Sequence, residues 1–214
     1  MVTAMTDALL TLAQWLSPAF PVGAFAYSHG LEQAIHDGSI SNSRDLEAWL
    51  SDLIAHGSGQ SDAVFLAAAH ASKDPRPIDH MARAFCASAE RQTETILQGT
   101  AFCETIAQVW QIKMYDLCYP VAVGYAAGQM NVICKDTLRM YLHAFSSNLC
   151  SAAIRLIPIG QTDGQRVLLG LKPMIEAAAE KAMNTPLSLV ASASFACDIL
   201  AMRHETLQPR IFRT

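Results

Sequence analysis

Apolar residues recur at helical spacing along most of this chain. Within 44–56, Leu46, Trp49, Leu50, Leu53 and Ile54 fall at i, i+3, i+4, i+7 and i+8, while Asp45, Glu47 and Asp52 point elsewhere. That pattern buries one stripe of a helix and wets the other. Leu138, Tyr141, Leu142, Phe145, Leu149, Ala152 and Leu156 repeat it over 136–156, and Val167, Leu168, Leu171, Ile175 and Ala178 over 165–182. Alanine fills 34 positions and leucine 22, both strong helix formers. No run alternates apolar with polar residues, so no substantial sheet is expected. The spacing predicts an all-α, single-domain bundle of roughly nine or ten helices. Further helices are expected near 6–16, 25–36, 61–72, 77–89, 90–113 and 119–130. Ser43 is placed to cap 44–56 and Gly57 to close it. Pro75 and Pro77 mark a loop. Thr185-Pro186 reads as an N-cap with proline in the first turn, opening a helix to about Arg203.

The chain is 51% hydrophobic and 16% charged, against about 25% charged in an ordinary soluble domain. Residues 8–31 and 117–134 carry no Asp, Glu, Lys or Arg. Neither reads as a membrane span. Pro18, Pro21 and Gly23 interrupt the first, and Pro120, Gly124 and Gly128 the second, so each is expected to form two short elements joined by a turn. The N-terminus has no basic segment or cleavage-type small residues, so no signal peptide is expected and a cytoplasmic location is. A net charge of −4 disfavours nucleic acid. The surplus apolar surface is expected to be buried in one core or against other chains. Six cysteines stand at least 15 residues apart, without C-x-x-C pairs. They read as small buried hydrophobes rather than zinc ligands or disulfides.

Residues 1–62 hold seven acids and one base, a charge of −6, and the remainder is +2. An acidic front and a basic tail suit contacts of opposite sign, and solvated faces are the simpler account of the acids alone. Familiar catalytic motifs are missing. There is no GxxxxGK[ST], no HExxH, no Glu-x-x-His and no G-x-S-x-G. His29 and His36 lie seven apart, and on an unbroken helix they would form a surface pair rather than a metal site. No metal ligand set and no cofactor is expected.

Three segments carry more turn and polar residues than helix packing requires. The first runs Ser17-Pro18-Ala19-Phe20-Pro21-Val22-Gly23-Ala24-Phe25-Ala26-Tyr27-Ser28-His29-Gly30-Leu31-Glu32. Its prolines hold the backbone extended, and Gly23 permits a tight entry to the next helix. The second runs from Arg155 through Pro158 and Gly160-Gln161-Thr162-Asp163-Gly164-Gln165, a polar loop that could bond a partner or satisfy helix ends. The third is the tail, Arg203-His204-Glu205-Thr206-Leu207-Gln208-Pro209-Arg210-Ile211-Phe212-Arg213-Thr214. There Ile211 and Phe212 between arginines look like an apolar anchor with charged clamps.

Together these segments resemble the urease accessory protein UreF family. SPAFPVGAFAYSHGLE is similar to that family's SPxxPVGxFxYSxGLE signature. Ser147-Asn148-Leu149 through Gln165 is closer still, Glu90-Arg91 and Gln98-Gly99 match a mid-chain helix, and the tail resembles an RHExxxxRLFRS ending. Departures are Ala24 and Ala26, where the family often has glycine and serine, and Leu207-Gln208-Pro209, where it commonly has Gln-Tyr-Ser.

The resemblance implies an all-helical, usually dimeric, non-enzymatic protein. It implies a bridge between a UreD (UreH) scaffold and the GTPase UreG, serving lysine carbamylation and nickel insertion in urease apoprotein. On that reading residues 1–203 form the helical domain and 204–214 a partner-binding tail. The residues expected to meet partners are Pro18, Pro21, Gly23, Tyr27 and Glu32; Arg155, Gly160, Gln161, Asp163, Gly164 and Gln165; and His204, Glu205, Arg210, Phe212 and Arg213. Tail residues Arg210, Phe212 and Arg213 are assigned to the UreD side. Arg155 and 160–165 are assigned to UreG, with Pro18 to Glu32 in support. Two alternatives remain: a plain adaptor without GTPase coupling, and a small helical hydrolase around His204 and Glu205.

Overall fold

The helical spacing is realised throughout a computed structural model. It describes the backbone of residues 2–214 and side-chain surroundings from residue 7 onward. Among the described residues there are ten α-helices: α1 (Val2–Trp15), α2 (Leu31–His36), α3 (Ser43–His56), α4 (Ser58–His70), α5 (Arg76–Ala84), α6 (Ala89–Val109), α7 (Tyr119–Gln129), α8 (Cys134–Leu156), α9 (Gln161–Met183) and α10 (Phe195–His204). Single 3-10 turns sit at Ala24–Ala26 and Leu187–Leu189. The fold is all-α, and among the described residues no helix is long and apolar enough to cross a membrane.

The centre is α4, packed by α3, α5, α7, α8 and α9. Residues 59–66 of α4 are all buried, including Ala63, Val64, Phe65 and Leu66. A helix buried on every side carries no polar stripe; Gln60, Ser61 and Asp62 are buried with it near its start, and Asp62 is paired inside with Arg91. The charge-free 117–134 stretch has the same cause. It forms the single helix α7 rather than two short elements. Gly124 and Gly128 do not break that helix but let it touch α4. A Cβ on Gly124 would lie 2.2 Å from the Leu66 carbonyl oxygen, and one on Gly128 2.2 Å from that of His70. The two backbones are in van der Waals contact, and the apolar surplus fills the core there.

Three other expectations need correction. The 25–36 helix is broken, because His29 (φ 59°) and Gly30 (φ 77°) are both left-handed and α2 begins only at Leu31. His29 and His36 therefore share no helix face; His29 is buried and His36 exposed. The helix expected over 186–203 starts nine residues late. Val190 and the serines at 188, 192 and 194 favour extended backbone or compete for its hydrogen bonds. The segment instead runs along α3, with the Ala193 N–H on the His56 carbonyl at 2.8 Å and Ser194 Oγ on the Asp52 carbonyl at 3.1 Å. Third, 161–165 is no loop but the first turn of α9. Smaller shifts follow local chemistry. Asn42, not Ser43, caps α3 by accepting from the Arg44 and Asp45 amides. Four cysteines are buried, and Cys86 and Cys134 are half-buried.

The SPAFPVG segment is fixed to the core by its aromatics. Phe20 stacks at 5.4 Å on Phe102 of α6, which is edge-on to Trp15 at 5.7 Å. That leaves Ala24 to Glu32 running beside α6, α8 and α10, partly exposed as far as Ala26 and buried from Tyr27 onward.

Candidate partner-binding site

The tail folds back onto the first motif. His204 ends α10 and is fully buried. Its Nδ1 is 2.7 Å from Glu90 Oε2 and its Nε2 3.1 Å from Glu32 Oε2. Glu32 sits in the first turn of α2 and also accepts the Ile211 and Phe212 amides at 2.8 and 2.9 Å. Burial alone would raise the Glu32 pKa, but those two amides and His204 outweigh it and hold the carboxyl below its ordinary value. Arg210 pairs with the other Glu90 oxygen. Main-chain bonds continue the attachment: the Arg213 amide donates to the Ala26 carbonyl at 2.8 Å, and the Ser28 amide to that of Thr214 at 2.7 Å.

Gly30 makes this seat possible. It is left-handed, and a Cβ there would lie 2.8 Å from the Ala201 amide nitrogen, so only glycine lets α10 lie this close to the motif. Asp62 and Arg91 pair at 2.5 Å beneath the seat, and the Tyr141 hydroxyl donates to Asp62 at 2.9 Å. Burial lowers the Arg91 pKa and the Asp62 and Glu94 carboxylates raise it; the carboxylates win. The acidic front and the more basic remainder thus meet within one chain. Glu32 receives the tail, Asp62 receives Arg91, and Asp37 pairs with Arg203 at 3.2 Å.

The sequence-selected residues divide into those at the seat and those away from it. Arg155 belongs to it: its guanidinium lies 4.7 Å over the Phe212 ring and donates to the Phe25 carbonyl at 3.2 Å. Phe212 is 3% exposed and packs within its own chain, whereas Ile211 is 72% exposed. The outward apolar group of the tail is therefore Ile211, flanked by exposed Arg210 and Arg213. Tyr27 is buried beside Arg213, and burial raises its pKa first of all. Glu205 caps α6 from outside, accepting the Ala89 amide at 2.9 Å. Pro18 lines a cleft of about 340 Å³ with Phe20, Phe25, Tyr141 and Arg155, which reaches Asp62, Arg91 and Glu94 beneath the seat. Pro21 is exposed, and Gly23 (φ 71°) supplies the left-handed entry to the 3-10 turn.

Gly160, Gln161, Asp163, Gly164 and Gln165 stand apart. Among the described residues no hydrogen bond joins them to the tail. Asp163 accepts the Gly160 amide at 3.4 Å and pairs with Arg166 at 2.6 Å, which serves the start of α9. Gly164 is buried, and a Cβ there would lie 2.7 Å from Ile154 Cδ1. Gln161 and Gln165 face outward. Sequence reasoning left Ser28, Glu90, Arg91, Glu94 and Asp62 off the list of contact residues. The signal was the four-residue step from Glu90 to Glu94 to Gln98, a polar stripe on a helix that must pack. Among the described residues no group of three or more His, Cys, Asp or Glu side chains is arranged to hold a metal ion.

Comparison with known proteins decides the family. The family model described as UreF matches residues 40–172, more than half of the chain. The chain belongs to the UreF family. A urease accessory protein UreF of Roseobacter denitrificans is 49% identical over 211 residues, covering 98% of this chain and 95% of the relative. One of Ruegeria pomeroyi is 46% identical over 217 residues, with both chains covered in full. One of a Bradyrhizobium species is 43% identical over 229 residues, covering 99% and 95%. The fold brings the separated motifs to one place. The signature segment, Glu90-Arg91, Arg155 and the tail all meet at the seat.

Proposed function

We propose that this chain is an adaptor that supplies no catalytic step of urease maturation, in which the seated tail and its surroundings are the docking face. It joins a UreD (UreH) scaffold to the GTPase UreG, for lysine carbamylation and nickel insertion in urease apoprotein. It acts in the cytoplasm as a homodimer and regulates GTP hydrolysis by UreG. The observation that carries this reading is the full-length likeness to urease accessory proteins. Exposed Ile211 between Arg210 and Arg213 suits the rim of a protein interface, where an apolar anchor sits among arginines.

Residues 204–214 serve as the partner-binding tail on the UreD side of the 1–203 body. Arg155 couples that tail to α8, and the exposed start of α9 with Gln161, Asp163 and Gln165 faces UreG. Removing all residues after Arg203 abolishes co-purification with UreD while helicity persists; retained UreD binding refutes the tail assignment. Asp163→Ala with Gln165→Ala weakens UreG recruitment but not UreD binding. A loss of melting temperature as large as that of a core variant would instead assign these residues to helix capping. The plain-adaptor reading is separated by GTPase rate. Adding this protein to UreG and UreD changes that rate if it couples hydrolysis, and leaves it unchanged if it only scaffolds.

A further inference from the structure

Beside the seat, His29 is held in an unusual way. Its φ of 59° is left-handed, a conformation that costs energy outside glycine and collects at functional sites. The residue is 7% exposed. Its Nε2 lies 2.5 Å from Ser58 Oγ. Its Nδ1 has no hydrogen-bond partner and faces Glu94 Oε2 at 3.6 Å. Phe145 meets the imidazole edge-on at 5.3 Å and fixes its plane. Burial would raise the Glu94 pKa, but Arg91, His29 and the Thr214 hydroxyl hold it below its ordinary value. Ser58 is the first residue of α4, so its hydroxyl stands at the positive end of a thirteen-residue helix; the Gln60 and Ser61 amides donate to the Gly57 carbonyl at 3.1 Å, which leaves those of Ser58 and Gly59 without an intrahelical partner.

Ser58, His29 and Glu94 line one cavity of about 150 Å³. Leu53, Phe65 and Phe85 form an apolar wall, and Asp62, Glu90 and Asp198 bring further acid groups. Burial raises the Asp198 pKa above its ordinary value, and His29 lowers it by less. The space fits a short aliphatic group; Arg91 also lines it but is taken up by Asp62 at 2.5 Å and Glu94 at 4.0 Å, so it offers no unpaired guanidinium to an anion. A nucleophile within reach of a base, a base faced by a carboxylate, and helix amides beside the nucleophile are the parts of an acyl-transfer site.

We propose that Ser58, His29 and Glu94 form a nucleophilic site for short-chain, uncharged acyl esters. Ser58 Oγ attacks the ester carbonyl carbon as its proton passes to His29 Nε2, and the carbonyl electron pair moves onto oxygen beside the α4 amides. Collapse re-forms the carbonyl and breaks the bond to the alcohol oxygen, which takes the proton from His29. Water then adds to the acyl-serine by the same proton route. The bond from acyl carbon to Oγ breaks, releasing the carboxylic acid and restoring the serine. No group is oxidised or reduced. Glu94 is a positioning residue that orients and neutralises the imidazolium.

The test uses the full chain with a fluorophosphonate probe and p-nitrophenyl acetate. The expected result is a single adduct, mapped by peptide mass spectrometry to Ser58, together with nitrophenol release. Ser58→Ala removes both. His29→Asn keeps the left-handed backbone, which asparagine tolerates, and slows labelling by about 100-fold or more. Glu94→Gln shifts the pH profile of labelling. Unlabelled wild-type Ser58, an adduct that persists in Ser58→Ala, or wild-type labelling rates in His29→Asn each overturn the proposal. Mapping on the wild-type chain does not depend on how the variants fold.

Discussion

Replacing Glu32 by glutamine isolates what holds the tail. The wild-type carboxylate accepts three hydrogen bonds, from the amides of Ile211 and Phe212 and from His204 Nε2. Glutamine keeps one acceptor oxygen and turns an NH₂ group toward one of those donors. At least one hydrogen bond to a charged group is lost, and a buried N–H is left facing a donor. Each such bond is worth about 1.5–3 kcal/mol, so the attachment weakens by about 2–4 kcal/mol. At 1.4 kcal/mol per decade, local opening of the tail rises about 30- to 700-fold. Amide hydrogen exchange reads this directly at Ile211, Phe212 and Arg213. The loss is local, so exchange in the middle of α4 and α7 stays at wild-type rates. Unchanged protection of the three tail amides would refute the account of the seat. Equal loss of protection in α4 would show that Glu32 supports the whole core instead.

Gly124→Ala places a methyl 2.2 Å from the Leu66 carbonyl oxygen. It lowers stability by about 1–3 kcal/mol despite alanine's better helix propensity, as a denaturant melt will show. The pH dependence of the seat follows from Glu32, whose folded pKa lies below its ordinary value. Its contribution is fully present above the unfolded value of about 4.3 and is lost as pH falls through the folded one. Tail amides should therefore lose exchange protection under acid conditions, and Glu32→Gln should flatten that response. Burial pushes the Cys86 and Cys103 thiols up to about 11 and those of Cys150 and Cys197 up to about 12. These four should resist a disulfide reagent at pH 8 in the folded protein and react once it is denatured.

Helices with a clean apolar stripe were legible in sequence, as α3, α8 and α9 show. Leu46, Trp49, Leu50, Leu53 and Ile54 are all buried where the spacing placed them. Periodicity said less where tertiary contacts override local preference. Nothing local in HGLE announces two successive left-handed residues, because that break is set by the tail and α10 lying alongside. Val190 to Ser194 reads as the interior of the helix opened by Thr185-Pro186 until the end of α3 supplies its hydrogen-bond partners. Gly124 and Gly128 look like breakers in a single sequence and act as contact points only once α4 is beside them. The candidate site was legible as segments, not as a site. Which carboxylate meets which ring nitrogen or amide depends on contacts across 114 to 180 residues of chain. The Phe212 ring, read as an outward anchor, is claimed by Arg155 from a different helix.

On the function proposed above, this chain serves urease maturation through its seated tail. Urease activity in cells deleted for this protein tests it most directly, with complementation by the full chain and by a chain ending at Arg203. The full chain should restore activity. The shortened chain, although helical, should leave urease inactive and short of nickel. Full restoration by the shortened chain, or full urease activity in the deletion alone, would contradict the account.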